Sequence, residues 1–314
     1  MSAAFLLDAG LCLLILAAAL LAMTGRDLFG AIAFFIVYGI MIALAWVRLE
    51  AVDVALAEAA IGAGLTGVLL IGAWAMLNRL GVPEDHKPAA GWLRLVAGSA
   101  SGAITIILVA AVMALPAGRE GLAPMVAEEL ADHGVSNPVT GVLLDFRAYD
   151  TLMESVVLLV ALVAVWALTP ASVWGGVPGM RQRARPDGVL AIFGRLLPPI
   201  GLVVGVYLVW AGSSQPGGAF QAGALLASGI VLLRLAGALP ALRWGFWPLR
   251  LLVLVGLLLF VAVAAACAWF GDGWLQYPTG WAKPLIVVIE AAATLSIAAS
   301  LSLLVIGDEP EAQP

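Results

Sequence analysis

The sequence has little charge. Only 11% of its 314 residues are charged, whereas 63% are hydrophobic, and the mean hydropathy is +1.08. A soluble globular chain carries about 25% charged residues, because they cover the surface that faces water. The shortage excludes a soluble globular fold and indicates a chain whose outer surface faces lipid.

The sequence is also poor in residues that bind metals or form disulfides. It has two cysteines, Cys12 and Cys267, and both lie inside apolar stretches. Their positions match neither a metal-binding spacing nor a disulfide framework. We find no nucleotide-binding loop, no His/Cys cluster and no Ser/His/Asp arrangement suited to catalysis. We therefore expect no cofactor, no nucleic-acid partner and no enzymatic chemistry of the chain's own.

Long apolar stretches are abundant. A bilayer core about 30 Å thick requires roughly 20 apolar helical residues. The sequence therefore predicts an all-α polytopic membrane protein with about nine spans. They cover approximately residues 4–24, 28–47, 54–77, 95–115, 150–168, 196–211, 217–236, 248–270 and 284–306. Pro198 and Pro199 predict an opening or a kink at the start of the sixth span.

Polar breaks divide these spans into blocks of three, two and four. We predict a three-helix domain at residues 1–90 and a two-helix domain at 91–170. A basic cytoplasmic linker at 171–194 and a four-helix domain at 195–314 follow. Within the second domain, the stretch PMVAEELADHG predicts a short amphipathic helix on the outer side of the membrane.

Basic residues predict the orientation. Lys and Arg accumulate on cytoplasmic loops, so the richer set of alternate loops should face the cytoplasm. The N-terminus is then outside, and the C-terminal tail DEPEAQP is cytoplasmic. The richer loops carry Arg26, Arg79, Lys87, Arg94, Arg181, Arg183, Arg185, Arg195, Arg234, Arg243 and Arg250; the poorer loops carry Arg48, Arg119, Arg147 and Lys283.

Ionisable residues within spans are costly and usually functional, so the few present here are candidates for an ion pathway. In the third span, Glu58, Gly62 and Thr66 follow i, i+4, i+8 spacing and form one polar, small-residue stripe. The alternative for Glu58 is a structural contact between helices. Asp53 should instead lie at the N-terminal end of its helix, where the helix dipole favours an anion.

The entry to the fifth span carries three charged residues on one face, Arg147, Asp150 and Glu154. Glu154 is the deepest, and the other two could orient it or deliver protons to it. The alternative is a neutralised cluster that anchors the helix end. In the ninth span, Lys283 and Glu290 share a face about 10.5 Å apart along the axis.

The three glutamates share a position in the predicted topology. Glu58, Glu154 and Glu290 all lie in the first turns of helices that run from outside to inside. If these helices meet, the carboxylates form a cluster in the outer half of the membrane. Such a cluster would suit proton exchange or transient Na⁺ binding, with Glu58 and Glu154 as the main candidates.

A glycine-rich segment, WAGSSQPGGAFQAG, opens the seventh span. Pro216 fits the first helical position, and Gly217 and Gly218 allow a tight turn. Gln221 and Gly223 continue this motif into the helix, where small residues permit close packing. Two interpretations remain open: an irregular segment beside an ion path, or a short hairpin with tight helix contact.

Three segments resemble parts of one family, the Mrp/Mnh-type multisubunit cation/proton antiporters and the related membrane-bound hydrogenase complexes. VDVALAEAAIGAGLT (52–66) resembles the MbhD-type domain, and SNPVTGVLLDFRAYDTLMES (136–155) resembles the MbhE-type domain. YLVWAGSSQPGGAFQAG (207–223) is similar to the signature of MnhB, also called MrpB. The resemblance implies a fusion of these three parts, and it matches Glu58 and Glu154 to acidic positions implicated in the family's cation pathway.

The resemblance also implies partners. The pumping modules of the family carry lysines along a central axis, whereas this sequence has only Lys87, in a loop, and Lys283, at an interface. We therefore expect a subunit of the bacterial inner membrane that works in the lipid bilayer beside antiporter-like subunits. The alternatives are the same module in a redox-driven, hydrogenase-related complex, and a structural adaptor that conducts nothing.

Overall fold

The computed structural model describes residues 2–25, 27–81, 90–115, 121–130, 133–168, 188–239, 246–271, 273–278 and 280–306. These residues form helices joined by turns, and no strand occurs among them. The helices are α1 (Ala3–Thr24), α2 (Leu28–Arg48), α3 (Val52–Ala57), π1 (Glu58–Leu65), α4 (Thr66–Arg79), α5 (Gly91–Met113), α6 (Ala123–Leu130), α7 (Pro138–Gly141), π2 (Val142–Phe146), α8 (Ala148–Leu168), α9 (Val189–Gly212), α10 (Ala219–Leu235), α11 (Trp247–Phe270) and α12 (Ala282–Ile306).

The protein is an all-α, multi-pass membrane protein. Within the described ranges, eight helices are long and apolar enough to cross a membrane, and α3, π1 and α4 together form one of them, Val52–Asn78. The seventh predicted span, 217–236, is α10, which is apolar but shorter, at 17 residues. The short amphipathic helix expected on the outer side corresponds to α6.

α12 is the central helix of the bundle. It is buried along most of its length and packs against α8, α10 and α11. Glycines allow this close approach: a Cβ added at Gly223 of α10 would lie 2.6 Å from Ile297 Cγ2, and one added at Gly256 of α11 would lie 2.9 Å from Ala293 Cα. Small residues thus bring the helix backbones together, as is usual in membrane bundles.

The beginning of the sixth span differs from the prediction. α9 begins at Val189, seven residues before the expected start, so Pro198 and Pro199 lie inside the helix and do not open it. The last residues of the predicted linker, 189–194, are therefore helical. The apolar run before Arg195 continues the helix, and prolines are tolerated inside membrane-spanning helices. Residues 171–187 of that linker and the C-terminal tail lie outside the described residues.

Two π-helices interrupt the regular helices. π1 continues α3 into α4 without a turn, and π2 joins α7 to α8. A π-turn changes the direction of every following side chain and frees backbone carbonyls from the regular pattern. Side-chain hydroxyls donate to a carbonyl in each π-helix: Thr66 to Ile61 O (2.8 Å) and Thr151 to Leu143 O (2.6 Å). π-helices of this kind are frequent at functional sites.

Candidate ion-binding cavity

A cavity of about 390 Å³ lies where the three predicted domains meet. Its walls come from α3 and π1, from α7, π2 and α8, and from the start of α10 with the middle of α12. Most of the wall is apolar, and three carboxylates face the space. The lining residues are Asp53, Val54, Ala57, Ile61, Val139, Thr140, Leu143, Leu144, Thr151, Glu154, Gly217, Gly218, Ala219, Phe220, Gln221, Ile289, Glu290 and Ala293.

Glu290 is the most deeply buried of these carboxylates. Its residue is only 3% exposed, and its Oε2 is buried without a hydrogen-bond partner. Its Oε1 lies beside the backbone of two glycines, 3.1 Å from a Cβ added at Gly218 and 3.3 Å from one added at Gly212. Leaving a buried carboxylate oxygen unpaired is costly, so the cavity is suited to a proton or a cation that would pair with it.

Asp53 is the carboxylate that the sequence prediction left out. It does lie in the first turn of α3, as expected, but it is 8% exposed and faces the cavity. Its Oδ1 accepts a hydrogen bond from the Gly217 N–H (2.9 Å), and its carbonyl accepts one from Gln221 Nε2 (3.2 Å). Asp53 therefore ties the first predicted domain to the glycine-rich segment of the last.

The glycine-rich segment is a tight hairpin between α9 and α10. Gly218 has φ +124°, a conformation that favours glycine, and its N–H donates to Leu208 O (3.1 Å). A Cβ at Gly217 would lie 2.5 Å from the same oxygen. Because Gly218 itself is not helical, α10 begins only at Ala219. The prediction that Pro216 occupies the first helical position is therefore wrong, since Pro216 lies in the hairpin.

The second predicted domain holds the same hairpin from another side. Asn137, which is 4% exposed, donates through Nδ2 to Gly212 O (3.1 Å) and Gln215 O (2.9 Å). The Thr140 hydroxyl also donates to Gly212 O (2.5 Å). The backbone N–H of Asn137 donates to Ser213 O (3.2 Å). Two separate parts of the sequence, the start of α3 and residues 137–140, therefore fix the hairpin against which Glu290 lies.

Glu154 and its neighbours lie at the edge of the cavity. Glu154 lines the cavity but is exposed, so this edge reaches the surface of the chain. Asp150 forms an ion pair with Arg147 (Nη2–Oδ2, 2.5 Å), and both side chains are largely exposed. Arg147 and Asp150 thus lie on one face of the helix entry, as expected from their spacing. Of Arg147, Asp150 and Glu154, Glu154 is the residue that lines the cavity.

Glu58 does not join this group. Its carboxylate lies over Gly62, as expected from their i, i+4 spacing, but neither Glu58 nor Thr66 lines the cavity. Glu58 lies five residues after Asp53 and therefore about 140° further around the helix, so the two carboxylates face different directions. The structure therefore brings Glu154 and Glu290 to one cavity with Asp53, and it does not place Glu58 and Glu154 at a common Na⁺ site.

Lys283 is also separated from the acid on its own helix. It is exposed at the start of α12, where its Cβ lies 3.9 Å from a Cβ added at Gly134, whereas Glu290 is buried two turns further along. No group of three or more His, Cys, Asp or Glu side chains in the described part of the chain is close enough to hold a metal ion. The three carboxylates thus line one space without converging on a point.

A second pair of ionisable groups supports the cavity wall from outside. His133 Nδ1 lies 2.6 Å from Asp145 Oδ2, and Tyr277 donates its hydroxyl to Leu144 O (2.8 Å). Burial raises the pKa of Asp145 above its ordinary value of 3.8, and His133 partly opposes that rise. Burial, with Asp145 close by, also raises the pKa of Tyr277. These contacts fix π2, whose residues Leu143 and Leu144 line the cavity.

Two family models match separate parts of the chain. The model of MbhD, described as the D subunit of MBH, matches residues 13–79. The model described as a domain related to the MnhB subunit of a Na⁺/H⁺ antiporter matches residues 189–307. An antiporter subunit named mnhB2 from Staphylococcus aureus is 30% identical over 126 residues, which make up 38% of this chain and 87% of that subunit. The chain belongs to the Mrp-type antiporter subunit family.

Two longer relatives match most of the length of this Mrp-type chain. The A/B subunit of a K⁺/H⁺ antiporter from Rhizobium meliloti is 25% identical over 302 residues, which make up 86% of this chain and 30% of the relative. A chain of the solved Mrp complex from Dietzia sp. superposes with a TM-score of 0.74 at 23% identity, over 97% of this chain and 35% of that one. The chain thus spans about a third of the length of these relatives.

A respiratory complex contains a similar fold. A chain of the archaeal membrane-bound sulfane sulfur reductase superposes with a TM-score of 0.57 at 22% identity, over 69% of this chain and all of that one. At this level of identity the likeness concerns the fold alone. A similar arrangement of helices therefore occurs both in the Mrp complex and, over 69% of this chain, in a respiratory membrane complex.

Proposed function

We propose that this Mrp-type chain is a non-enzymatic subunit of a multisubunit monovalent cation/proton antiporter, and that its cavity forms part of the ion route. The observation that carries the proposal is Glu290, a buried carboxylate with one unpaired oxygen facing the cavity. Asp53 adds a second buried carboxylate, and Glu154 extends the lining to the surface. Ionisable side chains inside spans usually mark ion pathways.

The proposal includes partner subunits. Of the two lysines in the sequence, Lys283 does not line the cavity and Lys87 lies outside the described residues, so we assign the lysine-bearing pumping modules to other subunits. We also propose that the chain consists of three domains, at residues 1–90, 91–170 and 195–314, with a linker at 171–194. The partner subunits would contact these domains. We place the complex in the bacterial inner membrane, with the N-terminus of this chain outside and its C-terminus in the cytoplasm.

The names of the relatives support cation/proton exchange and differ in the ion. One relative is named for K⁺/H⁺ exchange, and the matched MnhB domain is described for Na⁺/H⁺ exchange. Carboxylates are hard oxygen ligands that suit both ions. Exchange activity measured with Na⁺ and with K⁺ in turn, in vesicles that contain the complete complex, will identify the cation.

The test is substitution of single carboxylates in the assembled complex. Glu290→Gln and Glu154→Gln should abolish or strongly reduce cation-dependent proton exchange in everted vesicles, while the exposed Glu129→Gln serves as the matched control. Loss of exchange in Glu58→Gln would show that the route extends along π1, as the polar stripe of Glu58, Gly62 and Thr66 predicts. If exchange survives both Glu290→Gln and Glu154→Gln in a fully assembled complex, the chain is a structural adaptor.

One observation supports a second function. The fold recurs in a respiratory membrane complex, so the same module could serve a redox-driven complex related to hydrogenases. The two functions differ in the partners they require. Affinity purification of the native assembly from its own membrane, followed by mass spectrometry, will show either antiporter-like subunits alone or iron–sulfur proteins as well. Iron–sulfur partners would overturn the gradient-driven assignment.

A further inference from the structure

The cavity is more apolar than an inorganic cation requires. Apolar side chains from six different elements form most of its wall, among them Val54, Ile61, Leu143, Phe220 and Ile289. Its volume of about 390 Å³ exceeds the space of one water molecule, about 30 Å³, more than tenfold. This volume falls within the range of about 300–1,000 Å³ that is typical of pockets for small organic molecules.

The side-chain donors of the cavity already bond backbone carbonyls. The hydroxyl groups of Thr140 and Thr151 donate to backbone carbonyls, and Gln221 Nε2 donates to the Asp53 carbonyl. Glu290, in contrast, presents a buried oxygen without a partner. A ligand that satisfies this arrangement must donate hydrogen bonds and carry positive charge at one end, and must be apolar over the rest of its surface.

We propose that the cavity binds amphiphilic organic cations, in which a primary ammonium group pairs with Glu290 and an apolar chain lies along the walls. An ammonium group offers three donors and no acceptor, which suits the carboxylates of Glu290 and Asp53. Because the cavity is the one assigned above to the ion route, competition between such a ligand and the transported cation rests on the proposed function. Binding of the ligand to the cavity does not depend on that function.

Direct binding tests the proposal without any transport measurement. The full chain is placed in nanodiscs of phosphatidylcholine and titrated with butylammonium, pentylammonium and hexylammonium by calorimetry. Each added methylene should tighten binding about fourfold, as expected for burial of one CH₂ group. Hexanol, which keeps the chain, and ammonium chloride, which keeps the charge, should each bind at least about tenfold more weakly than hexylammonium.

Variants separate the charged end from the apolar walls. Glu290→Gln should weaken hexylammonium binding at least about tenfold, and Glu129→Gln, on the exposed face of α6, should not change it. In Phe220→Ala, the affinity should increase less with each methylene of the ligand, while hexylammonium should still bind more tightly than hexanol. A thermal unfolding midpoint close to that of the unsubstituted chain shows that each variant is folded. If Glu290→Gln destabilises the chain, Phe220→Ala still tests the site.

A lipid headgroup could supply the same ammonium chemistry as a free amine. Nanodiscs of phosphatidylethanolamine distinguish the two sources: weaker apparent binding of hexylammonium there identifies the lipid as a competing ligand, and unchanged binding identifies a site for free amines. Equal binding of hexanol and hexylammonium, or full binding by Glu290→Gln, would overturn the proposal. Loss of exchange in Glu290→Gln with unaltered amine binding would overturn only this inference, and not the proposed ion route.

Discussion

Asn137 provides the sharpest test of how the hairpin beside Glu290 is held. Its side chain makes three hydrogen bonds: Nδ2 donates to Gly212 O and Gln215 O, and Oδ1 accepts from the Val139 N–H. The first two bridge distant parts of the sequence, and the third caps the short helix α7. Asn137 is 4% exposed, so these groups cannot exchange freely with solvent.

The magnitude follows from the number of bonds. A typical intramolecular hydrogen bond contributes about 1 kcal/mol net, so Asn137→Ala should lower the free energy of unfolding by about 3 kcal/mol. Asn137→Asp keeps the capping oxygen but loses both donors, and it places an acceptor opposite two carbonyl oxygens. It should therefore cost at least about 2 kcal/mol. Asp caps helices as well as Asn does, so a residue that acted only as a cap would tolerate this change.

The assay is equilibrium unfolding of the full chain in mixed micelles titrated with SDS, followed by circular dichroism. Thr105→Ala is the control, because it removes one exposed hydroxyl bond within α5 and should stay within about 0.5 kcal/mol of the unsubstituted chain. If Asn137→Asp is as stable as the unsubstituted chain, the bridge to the hairpin contributes nothing and the reasoning fails.

Three further predictions concern the same region. Gly218→Ala should destabilise the chain by about 1–3 kcal/mol, because φ is +124° there; Gly72→Ala, with open space around the added Cβ, is the control in the same thermal unfolding assay. Gly223→Val should cost about 1–3 kcal/mol by separating α10 from α12, and an unchanged unfolding midpoint would contradict that packing. The pKa of Asp145 is raised in the folded chain, so the free energy of unfolding should fall as the pH rises from about 3.8 through that raised pKa. Asp145→Asn should make the free energy of unfolding depend less on pH, measured between about pH 3.5 and about pH 8.

The helical architecture could be predicted because it depends on local composition. Each span needs an apolar stretch long enough for the bilayer, and that property is present in the sequence itself. The exception is instructive. The sequence prediction placed the start of α9 too late, because Arg195 and the two prolines are typical of the residues just outside or at the end of a helix. In a membrane bundle, neighbouring helices can accommodate a charged residue and prolines inside a helix.

The site could be predicted only in part. Glu154 and Glu290 were identified because a charge within an apolar span is conspicuous. Asp53 was correctly placed in the first turn of its helix, but a position on a helix does not reveal that a hairpin 164 residues later donates to it. Asn137 had no sequence signal beyond a local turn, since its main partners lie more than 70 residues away.

The sequence by itself determined that this chain spans a membrane, which stretches do so, and that a few acids lie within or beside them. Only the tertiary structure decided which acids share a cavity. Helix spacing predicts the face on which a residue lies, but it does not predict that the hairpin contacts α3 on the face of Asp53 and not on that of Glu58. Hydrophobicity is a sum over local residues, whereas the meeting of carboxylates depends on packing between helices far apart in the chain.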